Sequence, residues 1–227
     1  MKKYQVLSIV AMLLAVMGIS SCSETDDSAE EFVNWQEKND SYFSTAYNTA
    51  KANADGTYKL IHNWSFNDSV ATDPTNYIAV KVLNQGTGSG CPFYTDSVRV
   101  HYEGRLIPST SYPSGWVFDS SWSGDYNLKT MVPVVLSPSN CVDGFATALQ
   151  NMHIGDRWQV TIPYQLGYGT SDYSSSGSTV TIPGYSNLIF DITLVAYYRA
   201  GAEIPSWKAK GQRGVESTSS TGYWVTE

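Results

Sequence analysis

Residues Ser97 to Leu106, "SVRVHYEGRL", alternate strictly. Val98, Val100 and Tyr102 fall on one side of an extended chain, and Arg99, His101 and Glu103 fall on the other. That is the pattern of a strand buried on one face, because successive side chains of a strand point to opposite sides. "NYIAVKVL", "VPVVL", "RWQVTI" and "NLIFDITLVAYY" repeat it along the chain. A succession of such runs predicts a sheet. One segment breaks the period: "DGFATALQNMHIG" sets Phe145, Leu149 and Met152 at helical spacing, with Asp143 as N-cap and Gly155 as the stop. The expected fold class is therefore α+β, a sheet with one short helix lying on it. His101, on the outer side of its strand, is expected to face solvent or make a local hydrogen bond.

A longer helix precedes the strands. Ser28 and Glu31 form a capping-box pattern ahead of Phe32, Trp35, Tyr42, Phe43, Ala46, Tyr47 and Ala50. "ADG", Ala54 to Gly56, ends it with a turn, after a span of roughly 35 Å at 1.5 Å per residue. This helix packs on its own domain or serves as a homodimerisation arm or membrane spacer.

The chain opens as an export signal. Lys2 and Lys3 precede the apolar "VLSIVAMLLAVMGI", which is too short and wrongly flanked for a stable transmembrane anchor. Ile19, Ser20, Ser21 and Cys22 resemble a bacterial lipoprotein cleavage box, which implies cleavage before Cys22 and lipidation of its thiol. The alternative is a plain signal peptide with a chance cysteine. The acidic "SETDD" behind it resembles sorting signals of surface lipoproteins. The expected location is the cell envelope, lipid-anchored at the outer membrane and facing the periplasm or the surface. Loss of Lys2 and Lys3 takes the formal charge two units below −7. No basic run interrupts this acidity, so nucleic acid is an excluded partner. Cys91 and Cys141 are left, as a disulfide or as two free thiols. Neither has metal-ligand spacing to a histidine or another cysteine, so no metal is expected.

"GWVFDSSW", Gly115 to Trp122, sets a carboxylate directly behind an aromatic run. Asp119 is either a strand-end residue facing water or the polar group of an apolar pocket, since a lone buried carboxylate costs several kcal/mol. The order strand, "HYEGRL", "FDSS", strand, short helix, "IGD", strand, "GYG", loop, "IP", "LIFDITL" resembles the FKBP-type peptidyl-prolyl cis-trans isomerases from about Ser97 to Tyr198. The domain reading is then 1–21 signal peptide, 22–96 tether, helix and first strands, 97–198 isomerase domain, and 199–227 tail.

The resemblance implies an antiparallel β-sheet wrapped around the short helix with a pocket between them, here with an added N-terminal helix. By motif it gives Tyr102, Phe118, Asp119 and Tyr168 as catalytic residues and Val142, Phe145, Ile182 and Phe190 as substrate-binding residues. Val132 lies near where the family often has a further aromatic. It implies proline-containing polypeptides as substrates, macrolide-type inhibitors as ligands, and no cofactor. In that reading Asp119 accepts a hydrogen bond from the Tyr102 hydroxyl and transfers no proton. Phe145 stands where tryptophan is common, and "WSGDYNLKTM" lacks an arginine often found after this aspartate. "SDYSSSGST" and "LIPSTSYPSGW" are longer than usual. The leading expectation is an exported prolyl isomerase assisting protein folding. Its alternatives are a non-catalytic polypeptide-binding chaperone on the same fold and an aromatic-rich glycan-binding lipoprotein.

Overall fold

The computed structural model describes residues 31–66, 72–175, 180–201 and 222–227. The signal segment, Cys22, Ser28 of the capping box and most of the tail lie outside them. Residues 34–227 constitute one unit and residues 1–33 another.

The first helix, α1, runs Trp35–Ala52. It starts later than the capping-box pattern predicts. Glu31 is helical, residues 32–34 form a turn, and Asn34 precedes the helix in the left-handed region at φ 54°. Asn53 ends the helix in the same region, its N–H bonded to the Thr49 carbonyl. Asparagine tolerates this conformation, and at the C-terminal end the Asn53 N–H satisfies an otherwise orphaned helix carbonyl.

Among the described residues ten strands follow, with a short helix between the fifth and sixth. They are β1 (Tyr58–His62), β2 (Tyr77–Asn84), β3 (Ser97–Arg105), β4 (Val117–Ser120), β5 (Val134–Leu136), α2 (Asp143–Leu149), β6 (Arg157–Ile162), β7 (Tyr173–Ser174), β8 (Thr181–Ile182), β9 (Leu188–Ala200) and β10 (Gly222–Val225). The main sheet has the order β1-β2-β6-β9-β3-β4, with β10 added to β9 and β5 added to β3. Every pairing is antiparallel. The fold is the expected α+β arrangement, an antiparallel sheet around a short helix with an added N-terminal helix.

Burial shows why the alternation is imperfect. Ile78, Ala79 and Val80 of β2 are all buried, as are Val160, Thr161 and Ile162 of β6. A strand with both neighbours along its length buried has both faces covered. Ala79 pairs with Thr161, and Lys81 with Gln159, so these point to one side. Together with Tyr42 and Ala46 of α1 they line a groove of about 790 Å³. On the opposite side Val80 pairs with Val160, and Ile162 meets α2. A Cβ on Gly144 would lie 2.3 Å from the Ile162 side chain, so that glycine lets α2 sit down on β6.

Helix α2 differs from expectation at both ends. Asp143 is its first residue rather than its cap; Val142 occupies the cap position in extended conformation without a side-chain bond. The helix ends at Leu149, well before Gly155, which instead holds φ +89° in the turn into β6. Its buried face is broad, since Gly144 through Leu149 are all buried.

His101 also departs from expectation. It is 2% exposed, and its Nδ1 has no hydrogen-bond partner. It pairs with Thr193 of β9, so both project from the outer side of the sheet. The connection between β4 and β5 crosses that side: the Tyr126 hydroxyl bonds Thr193 Oγ1 at 2.7 Å, and the Arg157 guanidinium lies 3.5 Å from the Tyr126 ring centre.

Helix α1 packs against β1, β2 and β6 of its own domain. Trp35 Nε1 donates to Ser186 Oγ at 2.8 Å. Buried Asn39 takes the Asn187 N–H on its Oδ1 at 2.8 Å, while the Asn187 side-chain amide donates to the Asn39 carbonyl. Asn187 Oδ1 in turn accepts from the Tyr164 N–H at 3.0 Å. The loop leading to the candidate site is thereby tied to α1.

Candidate functional site

Strands β3, β4 and β9 converge at Gly104, which pairs with Asp119 on one side and Phe190 on the other. A Cβ there would lie 2.6 Å from the rings of Phe118 and Phe190. No real Cβ sits that close, so the glycine of "HYEG" is what lets two aromatic rings close over the strand.

The pairing of β3 with β4 slips at this point. Glu103 faces Ser120 and Gly104 faces Asp119, but Arg105 faces Val117, which leaves Phe118 as the extra residue of a bulge. Adjacent strand residues ordinarily point to opposite faces; a bulge re-aims them. Here Phe118 and Asp119, neighbours in sequence, line the same cavity. The second serine of "FDSS" holds the arrangement: Ser121 Oγ accepts the Tyr102 N–H at 2.8 Å, and the Ser121 N–H donates to the Tyr102 carbonyl at 2.8 Å.

The cavity measures about 410 Å³. Phe190 is its aromatic hub. Its ring centre lies 4.9 Å from Phe145, 5.6 Å from Phe118 and 6.3 Å from Tyr102, all in edge-to-face contact. Tyr102 also meets Phe145 edge-on at 5.8 Å. Aromatic pairs favour this geometry because ring edges are positive and faces negative. Against this wall the Tyr102 hydroxyl donates to Asp119 Oδ2 at 2.8 Å. Asp119 itself is exposed at the cavity mouth, so it is both a strand-end residue reached by water and the polar group of an apolar bowl.

Tyr168 closes the far side. Its loop is fixed by N–H groups of Gly167 and Gly169, both donating to the Tyr164 carbonyl, and by the Tyr185 N–H on the Gly169 carbonyl at 2.9 Å. Burial pushes the Tyr168 hydroxyl up to about 12, and burial followed by the bond to Asp119 pushes Tyr102 well above an ordinary phenol. Cys141 also lines the cavity; burial raises its thiol to about 11, and its Sγ lies 3.4 Å from the Ser137 carbonyl. The site therefore presents protonated hydroxyl and thiol groups and one carboxylate. Cys91 and Cys141 are free thiols. Among the described residues no three His, Cys, Asp or Glu side chains are grouped to hold a metal.

Of the residues singled out in the sequence, Tyr102, Phe118, Asp119, Val142, Phe145, Tyr168 and Phe190 line this one cavity. Ile182 lines a smaller adjoining cavity of about 260 Å³. Val132 lies elsewhere: it is 78% exposed and ahead of β5, and Val135 and Leu136 of that strand line the bowl instead. Tyr173 was missed. Its ring stacks on Tyr168 at 3.8 Å and 11° and lines both cavities.

Residues 91–195 match the family model of FKBP-type peptidyl-prolyl cis-trans isomerases. The match begins six residues before Ser97 and ends three before Tyr198. The chain is 36% identical over 115 residues to the FKBP-type 22 kDa peptidyl-prolyl cis-trans isomerase of Escherichia coli K12, covering 51% of this chain and 47% of that protein. It is 37% identical over 119 residues to the macrophage infectivity potentiator of Trypanosoma cruzi, covering 52% of each. A solved isomerase from Pseudomonas syringae pv. tomato superposes with a TM-score of 0.47 at 27% identity, covering 71% of this chain and 94% of that one. The chain spans about half the length of the curated relatives it matches. Residues 91–195, and the aromatic bowl they build, are thus similar to the FKBP-type peptidyl-prolyl cis-trans isomerases.

Proposed function

We propose that this chain catalyses cis-trans isomerisation of Xaa-Pro bonds in exported polypeptides. The observation that carries this is the Tyr102–Asp119 hydrogen bond of 2.8 Å set in the wall of an aromatic bowl. Rotation about a peptide bond faces a barrier of about 18–20 kcal/mol because resonance flattens it. Xaa-Pro bonds populate both isomers and exchange over tens of seconds or longer. Water stabilises the charge-separated planar amide. A bowl walled by Phe118, Phe145 and Phe190 withdraws that water and favours the twisted, less polar form. No bond to the protein forms or breaks. What is needed is tighter binding of the twisted imide than of either planar one.

In this reading the prolyl ring rests on Phe145. The Tyr168 hydroxyl and the Val142 N–H hold substrate carbonyls, and Asp119, oriented by Tyr102, faces the carbonyl of the reacting imide. Purified mature chain should accelerate isomerisation of a short Xaa-Pro peptide. Asp119→Ala and Tyr168→Phe should lose most of that acceleration while keeping the parent circular dichroism. A parent no faster than buffer would leave the domain as a polypeptide-binding module.

Location completes the proposal. Lys2, Lys3, the apolar run and the small residues before Cys22 support an exported chain anchored in the cell envelope by lipid. Incorporation of labelled palmitate that disappears in Cys22→Ala would establish it; equal label in both chains would refute it.

A further inference from the structure

The 260 Å³ cavity beside the bowl has no part in the mechanism above. The two share Phe118, Asp119, Tyr168 and Tyr173, and Ser175, Val180 and Ile182 complete the smaller one. Its outer wall is the β7–β8 hairpin, in which Tyr173 pairs with Ile182 and Ser174 Oγ meets Thr181 Oγ1 at 2.8 Å. The hairpin holds the Tyr173 ring flat against Tyr168, 39% exposed. Asp119 reaches both compartments with one oxygen on Tyr102. The ion pairs among the described residues engage Glu103, Asp191 and Asp96, not Asp119, and no lysine or arginine lines either cavity.

A carboxylate without a cation beside stacked aromatic rings is a setting that holds an ammonium or guanidinium group. The rings attract it through their quadrupoles, and the carboxylate supplies the counter-charge. The polypeptide's own geometry says which side chain arrives there. The carbonyl of the reacting imide belongs to the residue before proline. With that carbonyl at Asp119, the same residue's side chain branches one bond away, within reach of the second compartment that Asp119 also lines. We infer that this compartment is a subsite for lysine or arginine directly preceding proline, and that Tyr173 is its specificity-determining residue. The inference rests on the isomerase reading and deepens it.

The test uses three peptides that differ only in the residue before proline: lysine, leucine or glutamate. For the parent, kcat/KM should fall in that order, with lysine over leucine by about two- to fivefold at low salt, the range a partly exposed cation–ring contact gives. The ratio should shrink as salt screens the charge. Tyr173→Ala should bring the lysine-to-leucine ratio towards one, and Tyr173→Phe should keep it. Equal rates for lysine and leucine peptides in the parent would overturn the inference, as would a Tyr173→Ala loss that is the same for both. Absence of catalysis on all three peptides would instead sink the isomerase reading. The same ratio measured as Kd by calorimetry would then decide the subsite on its own.

Discussion

A single hydroxyl decides how Asp119 is used. A carboxylate at an open mouth has many orientations, and the Tyr102 bond selects one. Bonds to a charged partner contribute about 1.5–3 kcal/mol. Tyr102→Phe should therefore lower kcat/KM by about tenfold or more, with KM for the peptide moving less than kcat. The protonation of the site also has a measurable signature. Burial raises both Tyr102 and Tyr168, the latter to about 12, so both phenols keep their protons where an ordinary tyrosine, near 10, would be half ionised. The rate should stay level up to about pH 10. A decline centred near 10 would mean that a phenol titrates unshifted. Much of this site was legible in the sequence, because "HYEG", "FDSS", "GYG" and "LIFD" each resemble a family motif that carries a site residue. The bulge at Phe118 was not, since a two-residue period gives Phe118 and Asp119 opposite faces. Tyr173 was not either. It sits in a Ser/Gly-rich insertion with no period, and its place depends on a pairing with Ile182 nine residues on.

At the scale of elements, the alternation in β3 was read correctly as strand and wrongly as one-sided. What covers the outer face, Tyr126 in the β4–β5 connection, lies 25 residues from His101 and carries no periodic signal of its own. The consequence is a buried imidazole whose burial holds its pKa below the usual 6.5. The unfolded chain takes up this proton more readily than the folded one, so folding is favoured above the unfolded value and weakened as pH falls through the folded one. Urea midpoints should therefore decline below about pH 6.5, with a slope of at most about 1.4 kcal/mol per pH unit from this residue. His101→Leu should make the decline shallower; an unchanged slope would assign the acid sensitivity to other groups. Helix α1 offers a second case. Trp35, Phe43 and Ala50 of its apolar stripe are buried, and the polar Asn39 is buried with them. It is buried because Asn187 supplies the partners it needs. Asn39→Ala should leave the Asn187 N–H unpaired and cost about 1–3 kcal/mol in urea unfolding.

The whole molecule depends on β9, which runs through the sheet and carries Phe190 at its start and β10 at its end. Strand β6 pairs only as far as Thr193, so beyond it that side of β9 is taken up by β10, from Tyr197 to Ala200. Trp224 of β10 lies 5.6 Å from the Tyr198 ring and under the Arg99 guanidinium at 4.0 Å. Truncation after Gly201 would strip this cover and leave four backbone positions of β9 open. An exposed strand edge beside uncovered rings templates pairing with another chain. The truncated protein should elute from gel filtration as dimers or larger species at concentrations where the full mature chain elutes as a smaller one. Its isomerase rate per folded domain should change little, because Tyr102, Asp119 and Phe190 lie at the opposite end of the β3–β9 ladder from Tyr198. If the truncated chain instead stays the size of the parent and loses activity, β10 is supporting the bowl through β9 rather than guarding an edge.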